Sequence, residues 1–287
     1  MQVLDRGSWV VRAEAHSARI DAYITPHLDL RRDAIKHPVH DFLFTYYSQR
    51  PVQLRRWHPG YGSQLLDAPE YADLKGYADG AVTAAYVASQ EQVLTSIHRL
   101  LVATAERTAS FGCFGLHEWA MVYRLDGAHV RHSSWPLRLG TAGTDAVVES
   151  HRITCSHFDA FRFFTEPARP LNTLQPARDD RPAFEQPGCL HAGMDLYKHA
   201  FRLTPMICSD LVVDAFELAW EIRALDMRAS PYDLSGLDPA AGEDWSPIPI
   251  ETAEGKAAYA SAQREFTARA APIRAALIAE CVRLLGR

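Results

Sequence analysis

Apolar positions along the chain fall into two rhythms. From residue 88 to 108 they recur three and four apart, so Val93, Leu94, Ile97, Leu100, Leu101 and Ala105 share one side of a predicted helix. The same period marks residues 13–36, where Pro26 breaks or restarts the helix. It marks residues 37–47 as well, where Pro38 suits a first helical turn and Phe42, Leu43, Tyr46 and Tyr47 form the apolar stripe. Further helices are predicted at 189–203, 209–228 and 254–285. The middle third reads differently: residues 118–124, 138–140, 146–149 and 151–164 favour β-branched and aromatic side chains and alternate as strands do. Gly127, Gly140 and Gly143 would supply the turns, and residues 60–80 and 230–249 read mostly as loops. No repeat, low-complexity block or linker interrupts the pattern. The prediction is one α+β domain over residues 1–287, mostly helical, with a small central antiparallel sheet.

Composition narrows the setting. At 47% hydrophobic and 23% charged residues the chain has the make-up of an ordinary globular protein. No apolar run approaches the roughly 20 residues that cross a bilayer. Acidic residues at Asp5, Glu14, Asp21 and Asp29 speak against a signal peptide, so the expected location is the cytoplasm, with no membrane partner. The five cysteines form no CxxC pair, which argues against a disulfide framework and a zinc finger and for buried thiols. A net charge of −5 gives no global attraction to nucleic acid, although a local basic patch remains compatible with it.

Candidate chemistry concentrates between Cys155 and His199. On a strand, His157, Asp159 and Phe161 would point the same way, able to hold a ligand or a general base; the alternative is an exposed edge where the pair meets Arg162 or Arg169. On a helix, His191, Asp195 and His199 would line up, and Glu91 and His98 lie seven apart on another. These five residues resemble the ligand supply of a dinuclear iron or manganese site, although capping and surface polar roles would produce the same spacings. His117 and Glu118 follow a Gly-rich turn but lack the HExxH continuation; His117 would face the same pocket or bond to backbone in the turn. Arg228 and Tyr232 have the reach to clamp an anion, with Asp233 to orient them, or else they close a helix and open a turn. Arg50, Arg55, Arg56, Trp57 and His58 form the best local basic and aromatic cluster, suited to phosphates and stacking, or else a solvated helix edge beside a core tryptophan.

Five blocks of sequence carry a resemblance. They are His37-Pro-Val-His-Asp-Phe-Leu-Phe-Thr-Tyr-Tyr47, Gln53-Leu-Arg-Arg-Trp-His-Pro-Gly60, Gly112-Cys-Phe-Gly-Leu-His-Glu-Trp-Ala-Met-Val-Tyr-Arg124, His157-Phe-Asp-Ala-Phe-Arg-Phe-Phe-Thr165 and Leu225-Asp-Met-Arg-Ala-Ser-Pro-Tyr-Asp-Leu234. With them the chain resembles an actinobacterial family commonly labelled 3-methyladenine DNA glycosylase. The resemblance implies hydrolysis of the N-glycosidic bond to an alkylated purine, without a cofactor. Asp159 or Asp195 would be the carboxylate and His157 or His191 the proton handler. Trp57, Phe161 and Tyr232 would stack on the flipped base, while Arg55, Arg56 and Arg228 would meet phosphates of alkylated DNA. The acidic balance suits a nucleoside-like small molecule better than duplex DNA. Two other functions fit the same residues: a metal-dependent oxidase or oxygenase acting on a small molecule, and a binding protein without turnover.

Overall fold

The computed structural model describes residues 1–125, 135–237 and 244–287. Gly127 and part of the 230–249 loop lie outside the described residues. Helix predominates, beside one small sheet, so the mostly helical α+β class holds. The chain divides into two compact units, each gathered from separate stretches. The first comprises Met1–Val102, Asp195–Ala219 and Pro272–Arg287; the second comprises Ala103–Met194 and Trp220–Ala271. No helix among the described residues is long and apolar enough to cross a membrane.

The first unit opens with strand β1 (Gln2–Leu4) and the long helix α1 (Arg6–Arg32). Asp5 caps α1 by accepting a 2.9 Å hydrogen bond from the backbone N–H of Ser8. Trp9, His16, Ile20, Ile24 and His27 form its buried stripe, so two histidines occupy positions that the period assigns to the core. There follow α2 (Phe42–Tyr46), α3 (Pro51–Leu54), β2 (Ser63–Leu65), β3 (Tyr77–Ala78), β4 (Ala81–Val82), α4 (Ala84–Ser89) and α5 (Glu91–Ala105). The sheet runs β1-β2-β4-β3, with β1 parallel to β2 and the other pairs antiparallel. Its hairpin turns through Asp79 and Gly80, both at positive φ (49° and 74°), the conformation that Asp-Gly turns favour. A Cβ on Gly80 would sit 2.1 Å from the carbonyl oxygen of Leu65, so only glycine fits.

His58 is buried in this unit, its Nδ1 2.9 Å from the Tyr77 hydroxyl. Burial, helped by the Arg56 and His16 charges, pushes its imidazole down to about 3. An unfolded histidine titrates near 6.5, so between about pH 6.5 and 3 the unfolded chain binds the extra proton and stability falls as the solution is acidified. The slope is about 1.4 kcal/mol per pH unit for one such group. Urea unfolding at pH 6.5 and pH 5 is expected to show His58→Gln losing about 2 kcal/mol less than the natural protein over that step. Equal losses would show that His58 is not the source of the acid sensitivity.

The second unit contains α6 (Leu116–Ala120), α7 (Gly140–Ser150), α8 (Phe158–Phe161) and α9 (Arg181–Phe184). Three further helices, α10 (Leu190–Arg202), α11 (Ser209–Arg228) and α12 (Ala253–Leu285), contribute residues to both units. Their bounds follow the sequence period closely. The middle-third strands do not form: 118–120 belong to α6, 140–150 to α7 and 158–161 to α8. Among the described residues only isolated bridges remain there, Leu137 with Tyr232 and Ile153 with Asn172. In α7 the buried residues Thr144, Val147 and Val148 stand three and four apart, so packing on one helical face outweighs their β propensity. The sheet itself lies in the first third and is mixed, not antiparallel throughout. Its strands of two or three residues are too short to show alternation.

Candidate functional site

The second unit holds a buried cluster of charged and ring side chains. Gly115, at φ 70°, turns the chain into α6, where a Cβ would lie 3.4 Å from the Tyr259 ring. The turn delivers His117 and Glu118 inward on a helix whose five residues are all buried. Helix α11 presents Arg223 and Asp226, three apart and thus on one face, both fully buried. Helix α10 brings His191 in its first turn. Gly193 permits the close approach: a Cβ there would lie 2.9 Å from Ile222 Cδ1.

At the centre, His117 Nε2 stands 3.1 Å from Asp226 Oδ1 and 3.3 Å from Oδ2. The His191 ring meets the His117 ring edge-on at 4.4 Å between centroids. One potential ligand atom from each of His117, His191 and Asp226 lies within 4.8 Å of the others. Behind them, Arg223 Nη1 donates to Asp226 Oδ2 at 3.2 Å and to Glu118 Oε1 at 2.7 Å. To one side, His157 stacks obliquely on His191 at 5.3 Å, and its Nε2 lies 3.6 Å from Glu185 Oε1. Arg181 Nε donates to the same Glu185 oxygen at 2.5 Å, and its Nη1 lies 3.9 Å from Asp159. On the Nδ1 side of His117 sits the Cys113 sulfur, 3.6 Å away. A cavity of about 20 Å³ opens among Cys113, His117, Cys189, His191, Tyr259 and Gln263. That space takes about one water-sized molecule.

Burial shapes the electrostatics. By itself it would lower the His117 imidazole, but the Asp226 carboxylate, with the Cys113 sulfur, carries it well above its ordinary range. Burial would likewise raise Asp226, and the facing His117, then His191 and Arg223, outweigh it and hold the carboxyl well below the usual range. The Cys155 sulfur, and with it His117, lower the Cys113 thiol against the upward push of burial. Cys155 is raised in turn by Cys113 and by burial, and burial pushes Tyr259 well up. Two carboxylates, Asp226 and Glu118, thus share the Arg223 guanidinium, and Asp226 also faces the His117 imidazole.

Several sequence-predicted residues meet here. His117, Glu118, His157 and His191 join the cluster, and Asp159 reaches it only through Arg181; His157 and Asp159 do so from the start of α8, not from a strand. Others lie elsewhere. Asp195 belongs to the first unit, where it accepts from the Tyr47 hydroxyl at 2.9 Å and pairs with Lys198 at 3.0 Å. His199 is also buried in the first unit, Glu91 is exposed in the first turn of α5, and His98 is half-buried about two turns further along the same helix. Of the five residues predicted as metal ligands, only His191 stands in the group of three. Trp57, Phe161 and Tyr232 are buried, so their rings present no open face to a base. Arg55 pairs with Asp21 at 2.7 Å, Arg56 is exposed, and Arg228 bonds the Ser246 carbonyl oxygen and pairs with Asp244. Asp233 accepts from the Ser235 N–H in a local turn. Asp226, Arg223, Glu185 and Arg181 were not among the sequence candidates. For Arg223 and Asp226 a signal existed, since both fall on the buried face of α11 beside Ile222 and Met227.

Two imidazoles and one carboxylate thus converge, and the two imidazoles also line the water-sized space. Comparison of the chain with protein-family models, characterised proteins and solved structures returns no match.

Proposed function

We propose that the second unit is a metal-dependent enzyme centre in which His117, His191 and Asp226 hold one iron or manganese ion. The observation that carries this reading is the convergence of the three ligand atoms within 4.8 Å in a fully buried cluster. The sulfur of Cys113 stands on the far edge of His117 from Asp226, so the donor set is nitrogen and oxygen, which suits iron or manganese better than a thiolate-selected ion. Arg223 orients Asp226 and Cys113 orients His117, as outer partners of metal ligands do. The adjoining cavity matches a ligand the size of water or dioxygen, which favours an oxidase or oxygenase acting on a small molecule.

A second reading uses the same carboxylate. Asp226, held ionised, faces His117, which lines the water-sized space, so the pair would activate water for N-glycosidic hydrolysis of an alkylated purine, the activity that the sequence resemblance implies. Asp226 would then replace Asp159 and Asp195 in that role. The cavity is too small for a purine ring, and for that reason the metal reading leads.

Anaerobic loading with ferrous iron, then addition of nitric oxide, separates the two. A high-spin iron–nitrosyl signal in electron paramagnetic resonance, absent in His191→Ala, is the expected result, since nitric oxide binds only where iron keeps an open position. Absence of the signal, together with base release from alkylated nucleosides in the presence of chelator, would support the hydrolase instead.

A further inference from the structure

The first unit contains a separate open cleft of about 610 Å³, within the range of small-ligand sites. Arg31, Lys36 and Arg50 stand exposed along it. Asp41, also lining it, is already engaged: its Oδ1 meets His27 Nδ1 at 2.8 Å and its Oδ2 accepts from the His37 N–H at 2.9 Å. Cations therefore dominate the cleft, and they outweigh the roughly half negative charge at the C-terminal end of α1. At its floor lie His27, 1% exposed, and Gln49, 6% exposed. His27 Nε2 and Gln49 Oε1 have no hydrogen-bond partner among the described residues. Because Nδ1 donates to the Asp41 carboxylate, Nε2 of the neutral ring is an acceptor, and Gln49 Oε1 is a second. Ala34 and Ser48, at φ 56° and 53°, turn the chain along the same wall in a conformation that side chains other than glycine rarely take.

Cations at the rim and two unsatisfied acceptors at the floor call for one kind of complement. We infer that this cleft binds a small phosphate-bearing molecule with hydroxyl groups, of the sugar-phosphate class. The phosphate meets Arg31, Lys36 and Arg50, and hydroxyls donate to His27 and Gln49. Neither group belongs to the metal cluster of the second unit, so the inference does not rest on the function proposed above.

Isothermal titration calorimetry of the full chain with ribose 5-phosphate, inorganic phosphate and ribose tests it. Ribose 5-phosphate is expected to bind at least about 10-fold more tightly than either fragment, because both halves of the cleft are engaged. Arg31→Glu/Lys36→Glu/Arg50→Glu, all at exposed positions that leave the core intact, should lower that affinity at least about 10-fold, and Gln49→Ala should bring it towards that of inorganic phosphate. His191→Ala should leave it unchanged. Equal binding of ribose 5-phosphate and phosphate, or binding indifferent to the triple reversal, would overturn the assignment.

Discussion

Arg223→Ala is expected to lose about 3–5 kcal/mol of folding stability, the usual cost of removing one partner of a buried charge pair. The guanidinium joins Glu118 at 2.7 Å and Asp226 at 3.2 Å, and all three side chains are at most 5% exposed. Its removal leaves two buried carboxylates without their shared cation. The melting temperature should fall by roughly 10 °C, on a scale of about 2–4 °C per kcal/mol for a chain of this size. Glu118→Leu/Arg223→Met should recover much of the loss, because a buried pair exchanged for apolar residues of similar volume is often neutral. If the single variant melted within a degree of the natural protein, the cluster could not be as dry as the structure shows.

The second large effect concerns metal affinity. His191→Ala removes one of three proposed ligands and should weaken binding of ferrous or manganous ion by about 100-fold or more, since even outer partners are worth 10- to 100-fold. Cys113→Ser, which keeps a hydrogen-bonding atom beside His117 Nδ1, should cost at most about 10-fold by the same argument. Competition against a fluorescent chelator measures both. Asp195→Asn serves as the internal control. Asp195 sits on the same helix one turn from His191 but is held by Tyr47 and Lys198 in the first unit, and its replacement should leave affinity unchanged.

The contrast between His191 and Asp195 shows what was legible in the sequence. Periodicity located α5, α10, α11 and α12 because each buries a continuous apolar face, and it placed His191 on a helix. It could not decide between His191 and Asp195, since spacing along one helix does not say which unit each residue joins. Helices α6 and α8 do not show in the sequence because segments of four or five residues carry no period long enough to separate helix from strand. His117, Glu118 and His157 were nonetheless found, because a charged or imidazole side chain between buried neighbours needs a partner whatever the backbone does. The same test applied to α11 would have found Arg223 and Asp226. Arg228, Tyr232 and Asp233 at its end stand out more in the sequence, but local caps and turns account for Arg228 and Asp233. The aromatic candidates failed for a different reason: Trp57, Phe161 and Tyr232 are core residues, and sequence does not distinguish a ring that packs from one that stacks on a ligand.

The central claim is that His117, His191 and Asp226 form a metal centre. Its most direct test is the metal content of the natural full-length protein, produced with iron and manganese supplementation, dialysed without chelator and read by inductively coupled plasma mass spectrometry beside a His191→Ala/Asp226→Asn variant. The account predicts a ratio near one iron or manganese per natural chain and near zero for a folded variant. The same ratio in both, or none in either, would contradict it.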